Sequence, residues 1–211
     1  MELKQHNLND FIHILASDTP TPGGGSVSAL AGAVGAALTE MVARLTLGRE
    51  KYEEYEDLVQ GVAAHAVTLR ALLVSAIDKD AASYKAVSDT FSMPKSTDEE
   101  KTARREAMQL ALKAAVEPPF EIMGLGLAVL ECADKLIGRS NINAVSDLGV
   151  AALNLKSAMQ GAWLNVLINL GSITDKNFSE EYHKRGAEIL ETGINLADKI
   201  YSDVLYGLES Q

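Results

Sequence analysis

Residues 19–28 carry two prolines followed by three consecutive glycines, in the order Thr-Pro-Thr-Pro-Gly-Gly-Gly-Ser-Val-Ser. Each proline fixes the backbone angle φ and stops a preceding helix, whereas glycine allows conformations that a Cβ atom forbids. We name residues 19–26 the glycine elbow and predict that a helix follows it, with Ser26 or Ser28 as N-cap. The first N–H groups of such a helix lack intrahelical partners, which makes a site for an anion or polar ligand. A turn needed only for chain reversal is the alternative.

The sequence after the glycine elbow predicts a helix that other helices can approach closely. Alanine and glycine occupy most positions between residues 29 and 37. Of the whole chain, 47% is hydrophobic but only 5% is aromatic, which favours helix–helix packing over a β-sandwich. Such a helix suits the centre of a bundle or a dimer interface.

Helical periodicity continues along nearly the whole chain, and no alternating pattern predicts a strand. We therefore predict an all-α fold with one domain over residues 1–211, an elongated antiparallel bundle of long helices. Pro118 and Pro119 suit the first turn of a helix, so a helix break is predicted before them. The predicted helices cover about residues 8–16, 26–47, 50–91, 97–116, 118–137, 142–170 and 177–208.

Charge and cysteine content exclude several classes of function. The formal net charge is −10, whereas a nucleic-acid-binding face must be basic, so nucleic acid is not an expected partner. The single cysteine, Cys132, excludes an intramolecular disulfide and a thiolate metal cluster. The four histidines show no metal-ligand spacing, so no metal site is predicted.

No segment predicts targeting or membrane insertion. The first residues are polar and form no leader pattern. The most apolar run, Val27–Leu38, is shorter than the ~20 residues that a bilayer span needs. We expect a cytoplasmic protein with no membrane partner.

Asp80 is a candidate for chemistry on the third predicted helix. It shares a helix face with Tyr84 and lies in line with the apolar residues Leu69 and Leu73, so it is predicted to point inward. A buried carboxylate needs a partner or has a raised pKa, and both are common at active sites. A structural carboxylate bonded to a neighbouring helix is the alternative.

A row of amide side chains marks the predicted helix at residues 142–170. Asn143, Asn154 and Asn165 recur every eleven residues, which at ~100° per residue keeps them near one line. Asp147 and Asn169 lie close to that line. The row has none of the lysine, arginine or glutamate typical of a solvated face, and burying amides without partners is costly. We predict that the row bonds other helices and that its first turn contacts a ligand.

Five segments together resemble the cyclodeaminase/cyclohydrolase family, which includes the C-terminal half of formiminotransferase-cyclodeaminase and stand-alone methenyltetrahydrofolate cyclohydrolases. Their order and spacing cover nearly the full chain. The resemblance implies an all-helical homodimer that binds a tetrahydrofolate derivative. The segments are PTPGGGSVSAL at residues 20–30, DAASY at 80–84, MPK at 93–95, SNINAVSD at 140–147 and GAWLNV at 161–166.

The resemblance implies one of two reactions. In the first, water attacks the methenyl carbon between N5 and N10 of tetrahydrofolate, and ring opening gives 10-formyltetrahydrofolate. In the second, N10 of 5-formiminotetrahydrofolate attacks the formimino carbon, and ammonia leaves. We expect the first, with the cyclodeaminase reaction and an inactive folate-binding or assembly bundle as alternatives. A carboxylate can stabilise the cation and move the proton in either reaction, so no cofactor beyond the folate substrate is expected.

The resemblance also implies the site residues. Asp80 is expected to be the acid/base or cation-stabilising residue, and Asp147 to recognise the pterin edge or share the proton transfer. Lys95 is expected to meet the glutamate tail. All these segments are expected to converge on one folate-sized cleft, within a subunit or across two. The other expected substrate-binding residues are Pro22, Gly23, Gly24, Gly25, Ser26, Tyr84, Asn141, Asn143 and Ser146.

Overall fold

The computed structural model describes residues 2–210, which form six α-helices and four short 3₁₀ segments and contain no strand. The all-α prediction is confirmed. The 3₁₀ segments are Leu3–Gln5, Glu50–Tyr55, Thr90–Ser92 and Ile142–Ala144. The α-helices are α1 (Leu8–Leu15), α2 (Gly24–Thr46), α3 (Glu56–Asp89), α4 (Asp98–Leu136), α5 (Val145–Leu170) and α6 (Lys176–Glu209).

The small residues of α2 let its neighbours pack directly against its backbone. Gly32 lies against Leu73 of α3, and Gly35 lies against Leu155 of α5. A Cβ atom at Gly35 would be 2.6 Å from Cγ of Leu155, well inside van der Waals contact. Glycine at these two positions therefore sets how closely α3 and α5 approach α2.

The contacts between α2 and α5 also show their relative direction. Gly24, at the start of α2, lies against Asn165 near the end of α5. Gly35, in the middle of α2, lies against Leu155 in the middle of α5. These two helices therefore run in opposite directions, and the glycine elbow lies beside the C-terminal turns of α5.

The predicted helix break before Pro118 is wrong, because α4 continues through both prolines to Leu136. A proline inside a helix removes one N–H donor and crowds the preceding turn. Here both prolines are buried in the core, and a side chain of α5 replaces one missing donor: Nδ2 of Asn169 donates to the carbonyl of Ala115 at 2.9 Å. Tertiary contacts thus override the local signal.

Three other helix starts differ by a few residues from the prediction. The third predicted helix begins as the 3₁₀ segment Glu50–Tyr55, and α3 starts only at Glu56. A 3₁₀ turn at Ile142–Ala144 likewise precedes α5. The N-cap of α6 is Asp175, whose side chain accepts from the N–H of Phe178 at 3.2 Å.

Two helical stretches, Gly24–Thr46 and Glu50–Ser92, are long and apolar enough to cross a membrane by length and composition alone. The first is longer than the run Val27–Leu38 because α2 begins within the glycines and continues to Thr46. Of its most apolar window, 61% is buried inside the fold, and the core helix of a soluble protein meets the same criteria. The absence of a membrane partner stays a prediction.

Gly35→Ala is expected to lower the free energy of unfolding by about 1–3 kcal/mol, because its methyl group would overlap Leu155. Gly61→Ala is the matched control, since a Cβ atom there meets nothing within 4 Å. Gly61 lies on the exposed side of α3, so this change should stabilise the protein by about 0.5–1 kcal/mol. Urea unfolding followed by circular dichroism measures both. Equal effects would contradict the close packing of α2 on α5.

Candidate active site

A cleft of about 390 Å³ opens between the glycine elbow, α3, α4 and the C-terminal turns of α5. Its size is within the range usual for small-molecule sites. Its polar lining includes the carboxyl group of Asp80, the amides of Asn165 and Asn169, and the backbone of the elbow at Gly23–Gly25. The apolar part of its lining comes chiefly from Val87, Phe91, Leu112 and Ile168, with Tyr84 beside them.

The helix after the glycine elbow begins earlier than predicted. Its N-cap is Gly23 and its first residue is Gly24, so the assignment of Ser26 or Ser28 as N-cap is wrong. The reason lies in tertiary packing, because the carboxyl group of Asp80 on α3 accepts from the backbone N–H of Ser26 in the first turn and so replaces an N-cap side chain. Gly25 lies in the same turn, and an added Cβ atom there would overlap that carboxyl group. Position 25 therefore requires glycine because α2 lies close to Asp80 there. A turn needed only to reverse the chain would not explain this requirement.

Asp80 is held by Ser26, one turn into α2. The hydroxyl group of Ser26 is fully buried and lies 2.9 Å from Oδ2 of Asp80 and 3.1 Å from the carbonyl oxygen of Ile77. Burial raises the pKa of Asp80 above its ordinary value, and hydrogen bonds from the hydroxyl and backbone N–H of Ser26 offset part of that rise. Asp80 is therefore more easily protonated than a surface aspartate.

The contact between Ser26 and Asp80 suits both protonation states of the carboxyl group. The Ser26 hydroxyl donates to Asp80 when the carboxyl group is ionised. When Asp80 is protonated, it can donate to Ser26, whose own proton then goes to the carbonyl of Ile77. Asp80 can thus take up and return a proton without leaving a buried polar group unpaired.

Asn165 and Asn169 line the cleft but were not among the predicted site residues. Nδ2 of Asn165 donates to the carbonyl of Gly161 at 2.8 Å, and Nδ2 of Asn169 donates to that of Ala115 at 2.9 Å. Both belong to the predicted amide row on α5. The eleven-residue spacing of the amides therefore pointed to this row of side chains. It did not show that the C-terminal end of the row, and not its first turn, reaches the cleft.

The predicted site residues at the start of α5 do not line the cleft. At about 1.5 Å per residue, Asp147 lies about 27 Å along the helix axis from Asn165. Within one chain these segments therefore do not converge on one cleft, because α5 is a single continuous helix with the elbow beside its other end. Their convergence across two copies of the chain stays a prediction. The residues concerned are Asn141, Asn143, Ser146 and Asp147.

Asn141 has a structural role in this chain. It is buried, its Oδ1 accepts from the N–H of Asn143 at 3.1 Å, and its Nδ2 donates to the carbonyl of Leu45 at 3.2 Å. Its amide thus joins the start of α5 to the end of α2. Ser146 and Asn143 remain exposed at that end of the molecule.

Three further predicted substrate-binding residues lie outside the cleft lining. Ser26 is directed at Asp80 and is completely buried, so it supports the carboxyl group and does not face a ligand. Pro22 is a buried residue of the elbow and does not line the cleft. Lys95 is exposed in the segment that joins Phe91, at the cleft, to the start of α4.

Within residues 2–210, no group of three or more histidine, cysteine, aspartate or glutamate side chains is arranged to hold a metal ion. His65 and Cys132 form a pair, with Nδ1 and Sγ 3.6 Å apart. Burial raises the pKa of the Cys132 thiol, which favours the protonated form.

A family model described as formiminotransferase-cyclodeaminase matches residues 7–188. The methenyltetrahydrofolate cyclohydrolase of Methylorubrum extorquens is 38% identical over 197 residues, which cover 93% of this chain and 95% of that protein. The formimidoyltransferase-cyclodeaminase of Mus musculus is 34% identical over 185 residues, or 88% of this chain. This chain spans only 34% of the mouse protein.

Structural similarity agrees with these sequence matches. The crystal structure of formiminotetrahydrofolate cyclodeaminase from Thermotoga maritima superposes with a TM-score of 0.81 at 30% sequence identity. The superposition covers 99% of this chain and 98% of that one. With its sequence and its fold matched over nearly their full length, this chain belongs to the formiminotransferase-cyclodeaminase family.

Proposed function

We propose that this protein hydrolyses 5,10-methenyltetrahydrofolate to 10-formyltetrahydrofolate and that Asp80 moves the proton. The observation that carries this proposal is the half-buried Asp80, with its raised pKa, at the junction of the glycine elbow and the cleft. The cyclohydrolase of M. extorquens supports the choice of reaction, because it matches this chain over 95% of its own length. The second candidate is cyclodeaminase activity, which the likeness to the T. maritima enzyme supports.

The proposed chemistry uses one carboxyl group twice. The carboxylate of Asp80 stabilises the cationic N5–C–N10 unit and accepts a proton as water adds to the methenyl carbon. The product of this step is a neutral carbinol. Asp80 then returns its proton to N5 while the bond from carbon to N5 breaks, and the carbinol hydroxyl loses its proton to solvent. The formyl group remains on N10, and the net reaction releases one proton.

We propose the same acid/base role for Asp80 in the alternative reaction. There N10 adds to the formimino carbon, and the amino group must be protonated before it leaves as ammonia. Neither reaction requires electron transfer or a Lewis acid. We therefore propose that the protein uses no cofactor beyond its folate substrate, and that it acts in the cytoplasm as a single domain.

We further propose that the chain forms an antiparallel bundle that pairs with a second copy through α2 and α5. The opposite directions of α2 and α5 support the antiparallel arrangement. Both helices expose large apolar side chains, which together form the α2–α5 face. On α5 the only charged residues are Asp147 and Lys156, and Lys156 is bonded to Asp198 of α6. The α2–α5 face comprises Val34, Met41, Leu45, Val150, Leu153, Leu164 and Ile168.

A two-fold axis through the middle of α5 would complete the site. The midpoint of α5 lies near Ser157, so antiparallel packing of the two α5 helices places the start of one beside the end of the other. Asp147 of one copy then lies near Asn165 and the glycine elbow of its partner. In this arrangement the separated segments form one cleft across the subunit interface.

Asp80→Asn is expected to lower turnover about 100-fold or more, because the amide cannot take up or return a proton. Asp89→Asn is the control, since Asp89 lies on α3 outside the cleft and pairs only with exposed Lys85. Loss of the near-ultraviolet absorbance of methenyltetrahydrofolate measures hydrolysis, and its appearance from formiminotetrahydrofolate measures the alternative. Wild-type protein that binds folate and gives neither signal would identify the inactive bundle.

Asp80→Asn should also raise the free energy of unfolding at neutral pH. The folded-state pKa of Asp80 is raised, so its contribution to stability is present below the unfolded value near 3.8 and is lost as the pH rises through the folded pKa. The neutral amide avoids that loss. The gain should vanish at acidic pH, where Asp80 is protonated in both states. Thermal unfolding of both proteins across this pH range measures it, and a destabilised variant at pH 7 would contradict the burial argument.

Mixed dimers test the shared site. Asp80→Asn and Asp147→Asn homodimers should each be nearly inactive, since each removes one group from both sites. Co-expressed with different tags and purified through both, the mixed dimer should recover about half of wild-type activity, because one of its two sites is intact. No recovery would show that each chain carries a complete site. An active Asp147→Asn homodimer would remove Asp147 from the chemistry.

A further inference from the structure

Pro119 leaves a buried carbonyl group without its helical donor. In a regular helix the N–H of residue 119 donates to the carbonyl of residue 115, but proline has no N–H. Ala115 is only 3% exposed, so its carbonyl needs a partner within the protein. Nδ2 of Asn169 supplies that hydrogen bond at 2.9 Å.

The adjacent Pro118 has no comparable effect. It removes the helical donor to the carbonyl of Ala114, and Ala114 lies on the exposed side of α4, where water can replace the donor. No side chain among residues 2–210 donates to that carbonyl. The two prolines are chemically alike, yet only Pro119 is coupled to a side chain of the cleft.

The hydrogen bond to Ala115 fixes the orientation of the Asn169 amide at the cleft. Nδ2 is committed to α4, and no group within residues 2–210 donates to Oδ1. Asn165, one turn earlier, repeats the arrangement, with Nδ2 bonded to the carbonyl of Gly161. Both side chains line the cleft, and because each Nδ2 is already bonded, each amide has its acceptor oxygen available for a ligand that binds there.

We propose that Asn169 and Asn165 recognise N–H donors on the pterin ring of the substrate, and that Pro119 is a positioning residue for Asn169. The aminopyrimidinone edge of a reduced pterin carries such donors on its 2-amino group and on N3. This inference rests on the proposed function, since it concerns a folate in the same cleft. In this inference the two amides share the pterin recognition that the sequence suggested for Asp147.

Calorimetric titration with 5-formyltetrahydrofolate, a stable folate, tests the pair without turnover. Asn169→Leu is expected to weaken binding ~10-fold, the scale of one lost hydrogen bond. Pro119→Ala should weaken it ~3-fold, because the new N–H competes for the Ala115 carbonyl and frees the amide to turn. Pro118→Ala is the matched control and should bind as wild type does. In turnover assays, Asn169→Leu and Pro119→Ala should raise KM and leave kcat within about twofold, since Asp80 is untouched.

A folate analogue that lacks the 2-amino group distinguishes loss of pterin recognition from general damage to the fold. Wild-type protein should bind the 2-desamino-2-methyl analogue of 5-formyltetrahydrofolate ~10-fold more weakly than the parent, whereas the double variant Asn165→Leu/Asn169→Leu should bind both equally. Equal discrimination by the two proteins, or equal effects of Pro119→Ala and Pro118→Ala, would overturn the inference. A wild-type protein that binds no folate would instead refute the proposed function, and this inference with it.

Discussion

The approach of Gly25 to Asp80 is the contact on which the candidate site depends. It joins the start of α2 to α3 at a distance that leaves no room for a Cβ atom. It also places the buried hydroxyl of Ser26 against the carboxyl group, which raises the question of where a ligand can still reach Asp80. The cleft supplies the answer, since Asp80 lines it together with the elbow backbone and α5, whereas Ser26 does not.

The length of α5 has a second consequence for the site. A continuous helix of 26 residues holds its two ends apart, so polar groups at both ends cannot serve one cleft in one chain. The proposed dimer through the apolar α2–α5 face brings them together, because a two-fold axis across α5 places the start of one copy beside the end of the other. In that dimer, the α2–α5 face would bury its apolar side chains and would also complete the cleft.

The proline pair in α4 illustrates how a local defect becomes useful in the tertiary structure. Pro119 costs the helix one hydrogen bond, and an amide from α5 replaces it. The replacement is not equivalent, because it fixes the orientation of a side chain at the cleft. A regular helix at this point would satisfy its own carbonyl and leave Asn169 free to rotate.

The helical class and most helix positions followed from residue patterns alone, because periodicity and capping preferences act over a few residues. The capping box of α4 at Thr97 and Glu100 is one such case, since both of its hydrogen bonds are local. Asp80 and Tyr84 were likewise recognised as candidates on one helix face, and the structure places both at the cleft. The residue pattern also predicted a ligand site at the glycine elbow. It did not predict that Gly25 packs against Asp80, because these two residues are more than fifty positions apart.

The sequence by itself determined an all-helical chain, its family resemblance, and the residue types available for acid/base chemistry. The tertiary structure alone decided that α2 starts at Gly24, that α4 continues through Pro119, and that Asn165 and Asn169 reach the cleft. Each of these outcomes depends on contacts between distant segments: Gly25 with Asp80, Ala115 with Asn169, and α2 with α5. Local preferences cannot specify such contacts, because their energies arise only when the helices pack together.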